Sequence, residues 1–394
     1  MHSRDLNLIA NLEDLRRLAK RRVPKMFYDY VDGGSWTEQT YRENAADFAE
    51  IHLRQRVAVD VSARSTTSAM VDQPVRMPVA IAPTGLTGMV HADGEILAAR
   101  AAQKFGIPFT LSTVSICSLE DVADHVEQPF WFQLYVLRDR GFVDNLIDRA
   151  KAVGCSALVL TLDLQISSQR NKDIRNGLSS PPRPTLRNVA DLATKPRWCL
   201  GMLGTRRYTF GNLRGHAAGL TGTMSLASWT NSQYDPSLTW DDVRHIRDRW
   251  PGKLIMKGIT DAADAAQAVA CGADAIVVSN HGGRQLDGAV SSISALPEIV
   301  AAVGAKTELH VDGGIRSGQD VYKAIALGAA GVYIGRAMLY GLGALGEAGV
   351  TRALTMIHDE LNATMGLTGT NSIAEIARDN LIFGSARERL SATA

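Results

Sequence analysis

Cysteine is scarce in this 394-residue chain: Cys117, Cys155, Cys199 and Cys271 stand far apart, none at the spacing of a metal clip or a redox pair. They read as reduced, mostly structural thiols, and nothing supports an extracellular disulfide framework. Charge bias is missing too. Lys and Arg number 42 against 41 Asp and Glu, a net charge of +1, which makes no case for a nucleic-acid partner. No apolar run reaches the roughly 18 residues of a membrane span. The first 22 residues are charged and lack the apolar core of a signal peptide, so the expectation is a cytoplasmic protein. The nine histidines are scattered without an HExxH pattern, and no metal site is expected. The glycine fingerprint of a nicotinamide dinucleotide site is also absent.

What is present is ordinary globular material, 45% hydrophobic and 21% charged. Length alone suggests two domains, yet an α/β barrel with insertions absorbs such a chain as one unit. Leu12, Leu15, Leu18 and Ala19 recur at helical spacing, and Pro24 can open a second short helix ending at Asp32-Gly33-Gly34. Residues 50–78 read as extended pieces and turns. From there short apolar runs recur at 79–82, 108–111, 130–134, 157–162, 253–256, 275–278, 308–311 and 331–334. Helical stretches alternate with them at 94–105, 143–153, 241–250, 262–271 and 320–327, several closed by a Gly-containing cap. Runs without polar alternation are strands buried on both faces, which means a parallel sheet, and eight such units close into a barrel. The expectation is a single α/β domain over 1–394, a (β/α)8 TIM barrel at 79–364. An N-terminal segment of helices and extended pieces (1–78) precedes it, and a long insertion at 178–236 follows strand four.

That insertion is rich in Gly, Pro and Ser. Within 181–215 seven Arg or Lys face a single acid, Asp191, interleaved with Trp198, Leu200, Met202 and Leu203. Such an excursion is a surface loop, a lid or an assembly element. The basic and apolar mix near Trp198 also suits an anionic membrane surface.

Barrel chemistry sits beyond the C-terminal ends of the strands. The residues there are Pro83-Thr84-Gly85, Ser112, Gln133 with Tyr135, Thr161 with Asp163, Lys257, Ser279-Asn280-His281, Asp312-Gly313-Gly314 and Gly335-Arg336. His281 is a candidate base because imidazole titrates near working pH, and Arg284 offers a fork for a carboxylate. The glycine-rich loops after strands seven and eight, with Arg316 and Arg336, form a phosphate cradle.

The strings SNHGGRQLD at 279–287, FQLY at 132–135, DGGIRSGQD at 312–320 and LGAAGVYIGR at 327–336 resemble the FMN-dependent 2-hydroxy-acid oxidases and dehydrogenases. The resemblance runs from about residue 12 to 381. Within the family, 106–115 and 132–142 are most similar to bacterial respiratory L-lactate dehydrogenases. The resemblance implies that His281 removes a substrate proton and that Asp163 steadies the imidazolium. It implies that Arg170 and Arg284 grip the carboxylate, helped by Tyr30, while Tyr135 bonds the hydroxyl. FMN would be held by Thr84, Gly85, Ser112, Gln133, Thr161, Lys257 and Ser279, and its ribityl and phosphate by Asp312, Gly314, Arg316, Gly335 and Arg336. No side chain is a two-electron sink, so a cofactor is needed in any case. The implied reaction is L-lactate to pyruvate, with quinone or a cytochrome as acceptor and a homotetramer or homo-octamer as the assembly. An oxidase releasing hydrogen peroxide, or a substrate such as glycolate, mandelate or a longer acid, is the alternative. Two features are particular to this chain. LQISSQ at 164–169 replaces a loop in which many relatives carry Pro and Gly, and Val114 stands where glycolate oxidases carry a bulky aromatic, leaving room for a methyl group.

Overall fold

The computed structural model describes residues 9–178, 185–214 and 232–384. Eight parallel strands form one sheet: β1 (Val79–Ile81), β2 (Thr110–Ser112), β3 (Trp131–Tyr135), β4 (Ala157–Thr161), β5 (Lys253–Ile259), β6 (Ala275–Val278), β7 (Glu308–Val311) and β8 (Gly331–Ile334). From β2 to β8 each strand pairs with the next, and β8 pairs back onto β1. A bridge between Ile81 and Phe109 closes the remaining gap between β1 and β2. The result is the expected (β/α)8 barrel. Every residue of β3, β4 and β6 is buried, which is why these strands read as unbroken apolar runs.

Boundaries differ where a local group decides them. β2 begins at Thr110 rather than Pro108, since proline has no N–H for the ladder. The helix after β3, Arg140–Ala152, starts earlier than its apolar periodicity because Asp139 caps it through the Phe142 amide.

Before the barrel lie α1 (Leu12–Arg22), α2 (Lys25–Val31) and α3 (Gln39–Glu50). The third has no side-chain N-cap, hence no start signal in the sequence. A hairpin, Ser68–Met70 with Gln73–Val75, carries Met70, Val71 and Val75 into the apolar cluster of the barrel interior with Trp131, Ile255 and Tyr333. It plugs the N-terminal end. After β8 come α6 (Arg336–Leu345) and α7 (Glu347–Thr368), the former packed against α1.

The described part of the insertion contains α4 (Leu186–Ala193) and α5 (Pro196–Gly204). Both dock on the N-terminal segment. Lys25 N–H donates to Asp191, Asn188 reaches Met26, and Lys195 Nζ reaches the Arg21 carbonyl. Trp198 points inward, stacked on Phe27 at 5.7 Å with its Nε1 donating to the Met89 carbonyl. Within the segment expected to suit a membrane surface, this ring faces the protein. Its polar edge is satisfied inside the protein. No helix among the described residues is long and apolar enough to cross a membrane.

Candidate active site

After β6 the chain turns through three successive left-handed residues, His281 (φ 59°), Gly282 (φ 65°) and Gly283 (φ 72°). Glycine adopts this freely, whereas histidine there costs about 1–3 kcal/mol. The turn is held by His281 N–H donating to Ser279 Oγ at 3.1 Å. It is also held by Gly283, where a β-carbon would meet the Tyr41 nitrogen at 2.4 Å. So placed, His281 Nδ1 lies 2.9 Å from Asp163 Oδ1 beyond β4, and Nε2 is the nitrogen left for the cavity. Burial opposes the Asp163 charge, yet His281 and Lys257 hold its carboxyl below the ordinary value.

Lys257 reaches the same cluster through a β-bulge. The register of β5 on β6 slips between Lys257 and Ile259, at Gly258 (φ 101°). Any β-carbon at 258 would sit 2.6 Å from Asp163 Cγ, so glycine here makes room for the acid. Lys257 Nζ donates to Ser279 Oγ at 2.7 Å and pairs with Asp312 Oδ2 at 3.0 Å. Burial works against this ammonium, but Asp312 and Asp163 overrule it and raise its pKa.

Facing the imidazole are two guanidiniums over one phenol ring. Arg284 lies 4.6 Å and Arg170 5.7 Å from the Tyr30 ring centre. Arg284 Nη1 donates to the Tyr30 and Gly33 carbonyls, while Arg284 Nη2 and Arg170 Nε are buried without a partner among the described residues. Burial, with Arg170 nearby, pushes Arg284 down to about 10. Arginine keeps its proton in proteins, so the shift measures the cost of burying a second cation beside Arg170, offset only in part by Asp173, which lies 3.7 Å from Arg170. Asp32, just beyond Tyr30 at the end of α2, accepts from Arg16, Tyr28, Tyr41 and Tyr340 and so ties that end of the helix to its neighbours.

His281, Lys257, Tyr30, Arg170 and Arg284 line one cavity of about 710 Å³, together with Thr84, Gly85, Tyr135, Thr161, Asp312, Gly314, Arg316, Gly335 and Arg336. Ser112, Gln133 and Ser279 are buried beneath the wall rather than part of it. Arg336 is already engaged, donating to the carbonyls of Val31, Gly33 and Gly282. It clamps the N-terminal segment to the His281 turn while still lining the cavity.

The donor set fits a flavin. Gln133 Nε2, Thr161 Oγ1 and Asp312 Oδ1 are buried with no partner among the described residues. Gln133 Oε1 is meanwhile taken by Ser112 Oγ at 3.1 Å and the Thr113 amide at 3.3 Å. Buried polar atoms in native proteins have partners, and a ring with alternating donors and acceptors would supply them. Sequence reasoning missed Tyr234, whose ring lies 5.8 Å from that of Tyr135. It also missed Asp32 and Gly258, which act by placing other residues and carry no signature of their own.

The family model for FMN-dependent dehydrogenase matches residues 19–383. An L-lactate dehydrogenase of Pseudomonas entomophila (strain L48) is 48% identical over 95% of this chain and 98% of its own length. One of Xanthomonas euvesicatoria pv. vesicatoria (strain 85-10) is 47% identical over 95% and 96%. Among solved structures, the monotopic membrane protein (S)-mandelate dehydrogenase superposes with a TM-score of 0.91 at 38% identity, covering 95% of this chain and 99% of that one. A mandelate oxidase with (S)-4-hydroxymandelic acid gives 0.83 at 36%, covering 96% and 100%.

Proposed function

The chain belongs to the FMN-dependent dehydrogenase family, and from that premise we propose that it oxidises L-lactate to pyruvate and passes the electrons to a quinone. FMN supplies the two-electron sink. Arg170 and Arg284 grip the substrate carboxylate through the donors left without a partner among the described residues, helped by Tyr30, and Tyr135 bonds the hydroxyl. His281 Nε2 takes the proton, and Asp163 stabilises the imidazolium that results. Lys257, Ser279, Gln133, Thr161 and Ser112 hold the ring. Asp312, Gly314, Arg316 and the Gly335–Arg336 start of α6 hold the ribityl phosphate. Thr84 and Gly85 complete the wall. A β-carbon at Gly85 would lie 2.8 Å from Val114 Cγ2 and 3.4 Å from the Tyr30 hydroxyl, so a larger residue there would have to displace the Val114 side chain.

The observation that carries this reading is the Asp163–His281 pair set opposite two buried guanidiniums, each with an unsatisfied N–H. Lactate is favoured by the relatives at 46–48% identity and by the small Val114. The protein works at the membrane surface. Leu186, Val189, Leu200 and Leu203 are exposed on α4 and α5, with the exposed cations Arg187, Arg197 and Arg206 beside them. Stopped-flow mixing of holoenzyme with L-lactate, D-lactate, glycolate and mandelate without oxygen tests the substrate. L-lactate should bleach the flavin band fastest, and faster bleaching by mandelate would reassign it.

A further inference from the structure

The cavity has a second half that lactate chemistry leaves unused. Besides the polar groups its wall carries a set of apolar side chains: Met26 and Phe27 from α2, Met89, Phe210 from the insertion, and Ile174 and Leu178 beyond β4. A substrate whose side chain is one methyl group has nothing to bury there. Met89 and Phe210 lie in the core, Met26 and Phe27 are half-buried, and Ile174 is 49% exposed, so the slot runs from the flavin cavity to the surface. Trp198 of α5 backs it, against Phe27 and Met89. On that same helix Leu200 and Leu203 are 68% and 81% exposed. One short helix thus carries both the slot's backing and an outward apolar patch.

We propose that a quinone headgroup docks in this slot to collect the electrons, its alkyl tail leading out past Ile174 toward α4 and α5. The proposal rests on the dehydrogenase reading above. A flat, weakly polar ring suits a wall of two phenylalanine rings and two flexible thioethers, which adapt to it and favour contact with its edge. A globular acceptor protein cannot enter a slot of this kind. The reaction balances without another reactant: lactate gives up two electrons and two protons to become pyruvate, and one quinone takes both pairs to become quinol.

The test uses holoenzyme and two readouts. A short-tailed azidoquinone, photolysed in the slot, should label peptides covering 25–31, 87–90 or 171–178, and decylubiquinone should displace it. Labelling confined to peptides other than these and the one carrying Phe210 overturns the proposal whatever the enzyme oxidises. The second readout compares Met26→Arg and Ile174→Arg, at half-buried and exposed positions that tolerate the change, with the parent. Reoxidation by decylubiquinone should fall about tenfold or more, while anaerobic bleaching by L-lactate and reoxidation by ferricyanide stay within about twofold. Unchanged quinone reoxidation overturns the proposal. A parallel loss of bleaching also overturns it, assigning the slot to the substrate and leaving the hydroxy-acid reading intact. Failure of every 2-hydroxy acid to bleach the parent sinks that reading, and the labelling pattern still decides the slot.

Discussion

Lys257 is the cation on which two buried acids depend. Its ammonium pairs with Asp312 and helps hold the Asp163 carboxyl low, so Lys257→Met leaves uncompensated charge in the barrel mouth. Breaking a buried pair from one side costs about 3–5 kcal/mol, which urea unfolding should show at neutral pH. The sign with pH follows from Asp163. In the parent its folded pKa is depressed, so its contribution is present above the unfolded value and is lost as pH falls through the folded one. In the variant that depression shrinks. The stability gap between the two proteins should therefore narrow as the solution is acidified toward the carboxylate range, and a gap independent of pH would contradict the pairing. Asp163→Asn tests the chemistry. It keeps the shape beside Gly258 but removes the charge facing His281, so flavin reduction by lactate should slow by about 10²–10⁴ with flavin content unchanged. Residues that touch ligand were legible in the sequence because chemistry restricts their type at a strand end: His281, Arg284 and Lys257 stand out there. Those that place them were not. Asp32 looks like any helix end and Gly258 like any strand glycine, and their importance arises only from chain segments brought together by folding.

At the scale of elements, the insertion is where sequence and structure diverge most. Composition showed a basic, apolar excursion, and neither periodicity nor capping said which side of it faces in. Docking decides that. Trp198 and Met202 turn toward the protein, Lys195 and Arg207 are consumed by internal pairs, and Leu200, Leu203 and Arg197 turn out. Barrel strands were legible because burial on both faces erases alternation, whereas α3 lacks a cap and was not. An apolar face beside exposed arginines should bind anionic vesicles. Leu200→Glu with Leu203→Glu should move the protein from the membrane pellet to the supernatant while lactate bleaching persists. If the double variant instead stays membrane-bound and only its oligomer dissociates, the patch is an interface between copies of the chain.

The whole molecule is a barrel with unequal ends. The hairpin at 68–75 packs the N-terminal end with side chains, while the C-terminal end keeps a cavity lined by unpaired polar atoms and a cationic cluster. A cofactor that satisfies those atoms binds the folded state alone, so its removal lowers stability by mass action, about 2.7 kcal/mol at a concentration one hundred times its dissociation constant. The stripped chain should melt several degrees lower and recover when FMN is added back. Riboflavin separates the two halves of the site, since it presents the ring to Gln133, Thr161 and Lys257 but nothing to Gly314, Arg316 and the N-terminus of α6. If the glycine loops after β7 and β8 hold the phosphate, riboflavin should restore only a fraction of the melting temperature at equal concentration. Inorganic phosphate added with it should recover part of the remainder. Equal rescue by riboflavin and FMN would remove the phosphate from those loops, and with it the anchor that orients the ring toward His281.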